Sequence, residues 1–131
     1  MAAASLRRSN IITYMKRDMD LIREILLQAE ECPAGTRWAA KPLMDHSITD
    51  VVEHIQLLID AGYVDGRTLG NEAAMILRIT HAGHEFIDSS REPTRWEKAK
   101  AKALSAGAPM TITVLKAILD QLIKEHLPHI L

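Results

Sequence analysis

The sequence is short of residues that do covalent chemistry. Cys32 is the only cysteine among 131 residues. An intramolecular disulfide is therefore excluded, in keeping with a reducing cytoplasm. A thiol nucleophile needs a base and an activating environment, and no motif supplies them, so Cys32 reads as a structural residue. Net charge is close to absent as well: 16 Lys and Arg stand against 17 Asp and Glu, for a formal charge of -1. The whole molecule then has no electrostatic pull towards nucleic acid or a membrane surface. No apolar run approaches the ~20 residues that span a bilayer. The opening Met-Ala-Ala-Ala-Ser-Leu-Arg-Arg has no apolar stretch long enough for a secretory signal. No glycine-rich phosphate loop is present either, since no helix opens after Gly66 or Gly70. Repeats and low-complexity segments are missing too. A cytoplasmic protein without a membrane span is expected.

What is present is an ordinary globular composition, 47% hydrophobic and 25% charged. The length suits one domain with a real core. Charge is uneven along the chain. Residues 1–17 carry Arg7, Arg8, Lys16 and Arg17 and no acid. Residues 91–102 carry Arg91, Arg95, Lys98, Lys100 and Lys102 against Glu92 and Glu97.

Residues 1–14 read as an accessory tail. A first helix is expected over about 17–31, with Met19, Ile22, Ile25, Leu26 and Ala29 as its buried stripe. Asp18 and Asp20 favour its positive end, and Pro33 with Gly35 stops it. Residues 36–40 suit a short strand, ended by Pro42. Ser47 has N-cap chemistry, with Asp50 as a weak capping-box partner. The helix it opens, 47–61, buries Ile48, Val51, Ile55, Leu58 and Ile59 and ends at Gly62.

A hairpin follows. It begins at Tyr63 and Val64, has a long loop over 65–71 and returns along 74–79. Met75, Leu77 and Ile79 point one way and Ile76 and Arg78 the other. Thr80 caps the next helix, which buries Phe86 and Ile87. Pro93 must interrupt it, and Thr94 with Glu97 can restart it as a capping box. Trp96, Ala99, Ala103 and Leu104 face inward there. Residues 106–109 break the chain again, and Thr111 caps a last helix with the stripe Ile112, Leu115, Ile118, Leu119, Leu122 and Ile123.

A helix ending in Ala-Gly, a hairpin, then a strand into Ile-Thr-x-x-Gly is the order found in winged-helix domains, here abbreviated because residues 41–46 leave room for one helical turn at most before Ser47. The expected fold is α+β and helix-rich: a winged-helix-like unit over 15–105, a small antiparallel sheet of two or three strands, and an added helix over 110–131. Four blocks then carry a family resemblance. They are Met15-Lys16-Arg17-Asp18-Met19-Asp20-Leu21-Ile22-Arg23, His54-Ile55-Gln56-Leu57-Leu58-Ile59-Asp60-Ala61-Gly62, Gly83-His84-Glu85-Phe86-Ile87-Asp88, and Thr94-Arg95-Trp96-Glu97-Lys98. In this order they resemble domain of unknown function family 2513, from bacteria and their phages. The resemblance runs from about Met15 to the C-terminus. It implies a fold and a phage or prophage setting, and no catalytic residues.

The helix over 47–61 sits where a winged-helix protein keeps its recognition helix. Its outward residues are expected to be Thr49, Asp50, Val52, Glu53 and Gln56, with two acids and no base. DNA affinity rests on Lys and Arg neutralising phosphates, so this face suits a protein better. The hairpin wing offers Arg67. Arg91, Arg95, Lys98 and Lys102 lie at offsets of four, three and four, which would put them on one helical face, with the place of Arg91 left open by Pro93. That stripe is either a solvated face or a docking stripe for phosphates or an acidic protein surface. His81, His84, Glu85 and Asp88 also share a face and include metal-binding residue types, but one helix rarely supplies a whole zinc shell. His126 and His129, split by Pro128, carry still less signal. Ser47 with Asp45 and His46 could suggest a hydrolytic relay, but capping explains Ser47 fully. No cofactor, metal or catalytic residue is expected.

The expected function is a non-catalytic module that binds an unidentified protein, as a phage- or prophage-encoded regulator or inhibitor of a host system. Its contacts are Thr49, Asp50, Glu53, Gln56, Arg67 and the basic stripe. The alternative is a winged-helix DNA-binding transcriptional regulator using the N-terminal bases and the 91–102 stripe. A homodimer through Ile112, Leu115, Leu119 and Leu122 is expected, because monomers rarely expose a large apolar patch; the alternative is that the last helix folds back onto the first.

Overall fold

The computed structural model describes residues 15–127. The tail over 1–14 and the chain end over 128–131 lie outside the described residues.

The Asp18 carboxylate opens helix α1 (Met19–Glu30) by accepting from the N–H groups of Asp20 and Leu21. All five residues of the expected stripe are buried, and Leu21 joins them. After Pro33 the chain turns back, with the Thr36 N–H and hydroxyl both donating to the Pro33 carbonyl. Strand β1 is only Trp38–Ala39. Helix α2 (Ile48–Asp60) is capped by Ser47, whose hydroxyl accepts from the Asp50 N–H. Gly62 then reverses the chain at φ +78°, a conformation glycine adopts at little cost.

Between β1 and α2, residues 43–46 form a tight turn. Leu43 and His46 exchange two main-chain hydrogen bonds of 3.3 and 2.7 Å. Met44 and Asp45 both take positive φ, +51° and +66°. A winged helix would place a positioning helix here; this chain has a turn.

Strands β2 (Val64–Leu69) and β3 (Ala73–Ile79) form the hairpin. The sheet is antiparallel with the order β1-β3-β2. The long loop expected over 65–71 is instead mostly strand, and the turn is limited to 70–72. Asp65 and Gly66 looked like turn residues, but pairing with β3 overrides weak intrinsic preference. The register shifts between them, with Leu77 of β3 as the extra residue of a bulge, and a Cβ at Gly66 would press on the Met75 carbonyl. On β3 the core side carries Ala74 and Ile76, while Met75, Leu77 and Ile79 are half-buried.

Thr80 caps α3 (His81–Ser90), accepting from the Gly83 N–H and donating to the Gly62 carbonyl. The helix stops at Ser90, and Pro93 becomes the first residue of α4 (Pro93–Ser105). There the missing proline N–H costs nothing. The cap is the Glu92 carboxylate, which accepts from Thr94 and Arg95. The expected Thr94–Glu97 capping box therefore does not form, and Glu97 pairs with Lys100. Arg23 of α1 closes the break between α3 and α4. Its guanidinium donates to the carbonyls of Ser90 at 2.7 Å and Arg91 at 2.9 Å, and it lies over the Trp96 ring. Leu104, expected inside, is 75% exposed.

Helix α5 (Ile112–His126) packs on α3 and α4. This corrects the expected dimer interface. Leu115, Leu119 and Leu122 are buried within a single chain, and Ile112 is half-buried against the same core. Burying three leucines is worth on the order of 5–9 kcal/mol, and the fold itself takes it. Helix α5 is thus no appendage: its residues share one apolar cluster with α1, α2, the sheet, α3 and α4. No helix among the described residues is long and apolar enough to cross a membrane.

Candidate functional site

Helix α2 is held from two sides, and this fixes what it can show to a partner. Between α1 and the sheet it buries Val51, Val52, His54, Ile55 and Leu58. Val52 was expected outside; it is 1% exposed. On the hairpin side Gln56 accepts from the Thr68 hydroxyl and donates to the Asp60 carboxylate, both at 2.9 Å. Gln56 is therefore partly a strut between helix and wing.

His54 is fully buried and makes two hydrogen bonds. Its Nε2 accepts the Asp18 backbone N–H at 2.9 Å. Its Nδ1 lies 2.7 Å from the Asp50 carbonyl oxygen, which only an N–H can satisfy. The ring is thus the Nδ1-protonated neutral tautomer. Sequence reasoning missed this residue, although a signal was there. His54 lies three residues after Val51 and four before Leu58, on the buried face of α2.

Next to it, His46 bridges two carboxylates. Nε2 is 2.9 Å from Asp18 Oδ2, and Nδ1 is 3.2 Å from Asp50 Oδ2. Partial burial pulls the imidazole pKa down. The hydrogen bonds to Asp50 and Asp18, reinforced by their charge, outweigh that and leave it above its ordinary value. The expected capping-box role of Asp50 is lost to this contact. Neither does a relay form at Ser47, because His46 turns both ring nitrogens to the carboxylates and Ser47 caps α2.

The outward residues fall into two groups. Thr49 is exposed, and Asp50 and Glu53 are half-buried. With Met15, Ser47 and Asn71 they line an open depression of about 370 Å³. Helix α2 has no Lys or Arg anywhere in its length. The hairpin adds Asp65 and Glu72, with Arg78 tied to Asp65 at 2.6 Å. Arg67 is exposed on β2.

The basic stripe is only partly built. Arg91 lies in the break after α3, off the face of α4. Its guanidinium is held by Glu30 at 2.8 and 2.7 Å and by Asp88 at 3.0 Å, which drives its pKa up further, the Glu30 hydrogen bonds contributing most. Arg95 is half-buried and donates to the Ser89 carbonyl at 3.2 Å. Lys98 and Lys102 remain exposed on α4. Lys100 turns away to Asp20 at 2.7 Å, the carboxylate that also accepts from the Trp96 indole N–H at 2.7 Å.

The possible metal face on α3 resolves into ion pairs. His81 meets Glu85 at 3.4 Å and Asp88 meets Arg91. Among the described residues no group of three or more His, Cys, Asp or Glu is placed to hold a metal ion. Cys32 is half-buried at the rim of a cavity of about 390 Å³ between the 33–36 turn and the end of β3.

Known proteins agree with this chain over most of its length. The family described as "Hypothetical protein (DUF2513)" matches residues 16–109, so α5 lies beyond the matched stretch. A Haemophilus influenzae strain Rd protein, described as "Uncharacterized protein", is 30% identical over 118 residues, 86% of this chain and 99% of its own length. No solved structure matches. The chain therefore belongs to the DUF2513 family of hypothetical proteins.

Proposed function

We propose that this protein is a non-catalytic binding module whose partner is another protein. One observation carries this reading: the exposed side of α2 has Thr49 and Glu53 and no basic residue, beside a hairpin whose turn adds Glu72. A polyanion is repelled by such a face. The order α1-β1-α2-β2-β3 is that of an abbreviated winged helix without its positioning helix, and on this reading α2 takes the place of the recognition helix and the 70–72 turn that of the wing tip. On that reading the fold serves as a platform, and its charge selects a protein. The family resemblance supports a phage or prophage setting, in which the partner belongs to a host system. Arg67, on the same hairpin, gives that partner one cationic contact.

Capture from host lysate tests this. The wild-type protein is expected to retain a partner that Thr49→Lys/Glu53→Lys loses. The reading fails if the double variant retains the same partner as the wild type.

A second reading has its own observation. Lys98 and Lys102 are exposed on α4, and neither has an ion-pair partner among the described residues. They suit phosphates, as in a nucleic-acid-binding regulator. A gel shift at two salt concentrations decides: binding that weakens steeply with salt and is lost in Lys98→Glu/Lys102→Glu favours nucleic acid.

A further inference from the structure

The buried leucine stripe of α5 leaves one flank of that helix on the surface. There α4 and α5 enclose a shallow depression of about 240 Å³, lined by Lys102, Ala117, Ile118, Gln121, Leu122 and Glu125. Its middle is apolar, with Ile118 half-buried and Ala117 exposed. Lys102 stands at one place along this strip and Glu125 at another, and neither has an intramolecular ion pair among the described residues. We infer that this strip is a two-fold interface occupied by the same strip of a second copy of the chain.

The strip meets the condition a two-fold interface imposes, which is self-complementarity: if residue i meets residue j, then j meets i. Ile118 and Glu125 are seven residues apart on α5, or about 10 Å along its axis. Lys102 reaches the strip from α4. A two-fold axis passing near Gln121 exchanges the two ends of α5. It brings Lys102 of each copy towards Glu125 of the other, twice over. Gln121 falls at the centre, where an amide can donate to and accept from its own symmetry mate. Ile118, Ala117 and the rim of Leu122 then cover one another. No unpaired charge is left in the middle, which would be costly.

The surface is narrow. A stable permanent dimer buries on the order of 2,000 Å² or more, and one strip along two helices falls short of that. The association is therefore weak and depends on concentration. The dimer of this inference uses the flank of α5 that borders the buried stripe at Leu122, and it needs no rearrangement of the core. It is also independent of the acidic face of α2, so the two can fail separately.

Sedimentation velocity on the full chain tests it. At about 100 μM the wild type is expected to sediment at twice the chain mass of 14.6 kDa, and to return to a monomer on dilution. Lys102→Glu alone and Glu125→Lys alone each weaken dimerisation by at least about tenfold. The pair Lys102→Glu/Glu125→Lys restores it, because the swapped charges again face each other across the axis. These two residues are on the surface, so all three variants keep their circular dichroism. A wild type that stays monomeric at about 1 mM overturns the inference. So does a dimer indifferent to either single reversal, or a double reversal that fails to recover.

Discussion

His54 of α2 accepts the backbone N–H of Asp18, the residue that caps α1, at 2.9 Å. A side chain of one helix thus completes the N-terminus of another. The same ring closes onto its own helix at the Asp50 carbonyl. The geometry of α1 against α2 is set at this point, and the surface that α2 offers depends on it.

Removing the imidazole leaves the buried Asp18 N–H without a partner, while the Asp50 carbonyl keeps the main-chain bond of its own helix. An unsatisfied buried donor costs about 1–3 kcal/mol. His54→Leu keeps most of the volume and is expected to destabilise the protein by about 1–3 kcal/mol in urea unfolding. A loss below about 1 kcal/mol would mean that neither hydrogen bond matters to stability.

His46 makes stability depend on pH. Its pKa in the folded protein is raised above the ordinary histidine value, so its contribution is complete below the unfolded pKa of about 6.5. That contribution is lost as pH rises through the folded value. The stability of the wild type relative to His46→Asn is therefore expected to be greater at pH ~5.5 than at pH ~8.5. Urea midpoints of both proteins at the two pH values check this. An equal difference at both would exclude His46 as the titrating group.

Gly83 tests the contact of α3 with the hairpin. A Cβ there would collide with the Tyr63 carbonyl and lie 2.7 Å from Ile79 Cγ2. Backbone on one side and a packed β-branched residue on the other leave little room to yield. Gly83→Ala is expected to cost about 1–3 kcal/mol, against the helix-propensity gain that the same change brings on an open helix surface. Thermal unfolding measures the sign directly.

Arg23 tests the joint between α3 and α4. Its two donors hold the Ser90 and Arg91 carbonyls, which Pro93 leaves without helical partners. Arg23→Met retains the aliphatic stem and is expected to cost about 1–2 kcal/mol. Arg23→Lys should recover only part of that, because one ammonium does not reproduce the planar fork. Equal stability of Arg23→Met and the wild type would show that solvent serves those carbonyls as well.

Much of the fold was legible because apolar spacing reports directly on which side of a helix is buried. The stripe of α1, the Ser47, Thr80 and Thr111 caps and the Gly62 reversal all stand where the residues put them. What covers a stripe is another matter. The pattern of α5 is the same whether Leu115 meets α3 and α4 or a second subunit, so a stripe that packs within the chain read as one between subunits. Spacing also presumes an unbroken helix. Arg91 looked in phase with Arg95, but Pro93 restarts the count, and Arg91 went to Glu30 instead. Val52 and His54 were lost for a different reason: α2 is packed on two sides, so its buried arc is wider than one stripe. The acidic outer face of α2 was visible in the sequence. That Asp50 is half spent on His46 was not, because the third member, Asp18, lies 28 residues away.

The turn before α2 gives His46 little freedom to retreat. Two main-chain bonds pin residue 46 to residue 43, and neither Met44 nor Asp45 sits in a relaxed backbone well. A proton gained or lost by the imidazole is therefore not absorbed by a yielding loop. The load passes to Asp18 and Asp50, at the first turns of two different helices, so acidity in the surroundings is felt as a change in how firmly those two rods are tied at one end.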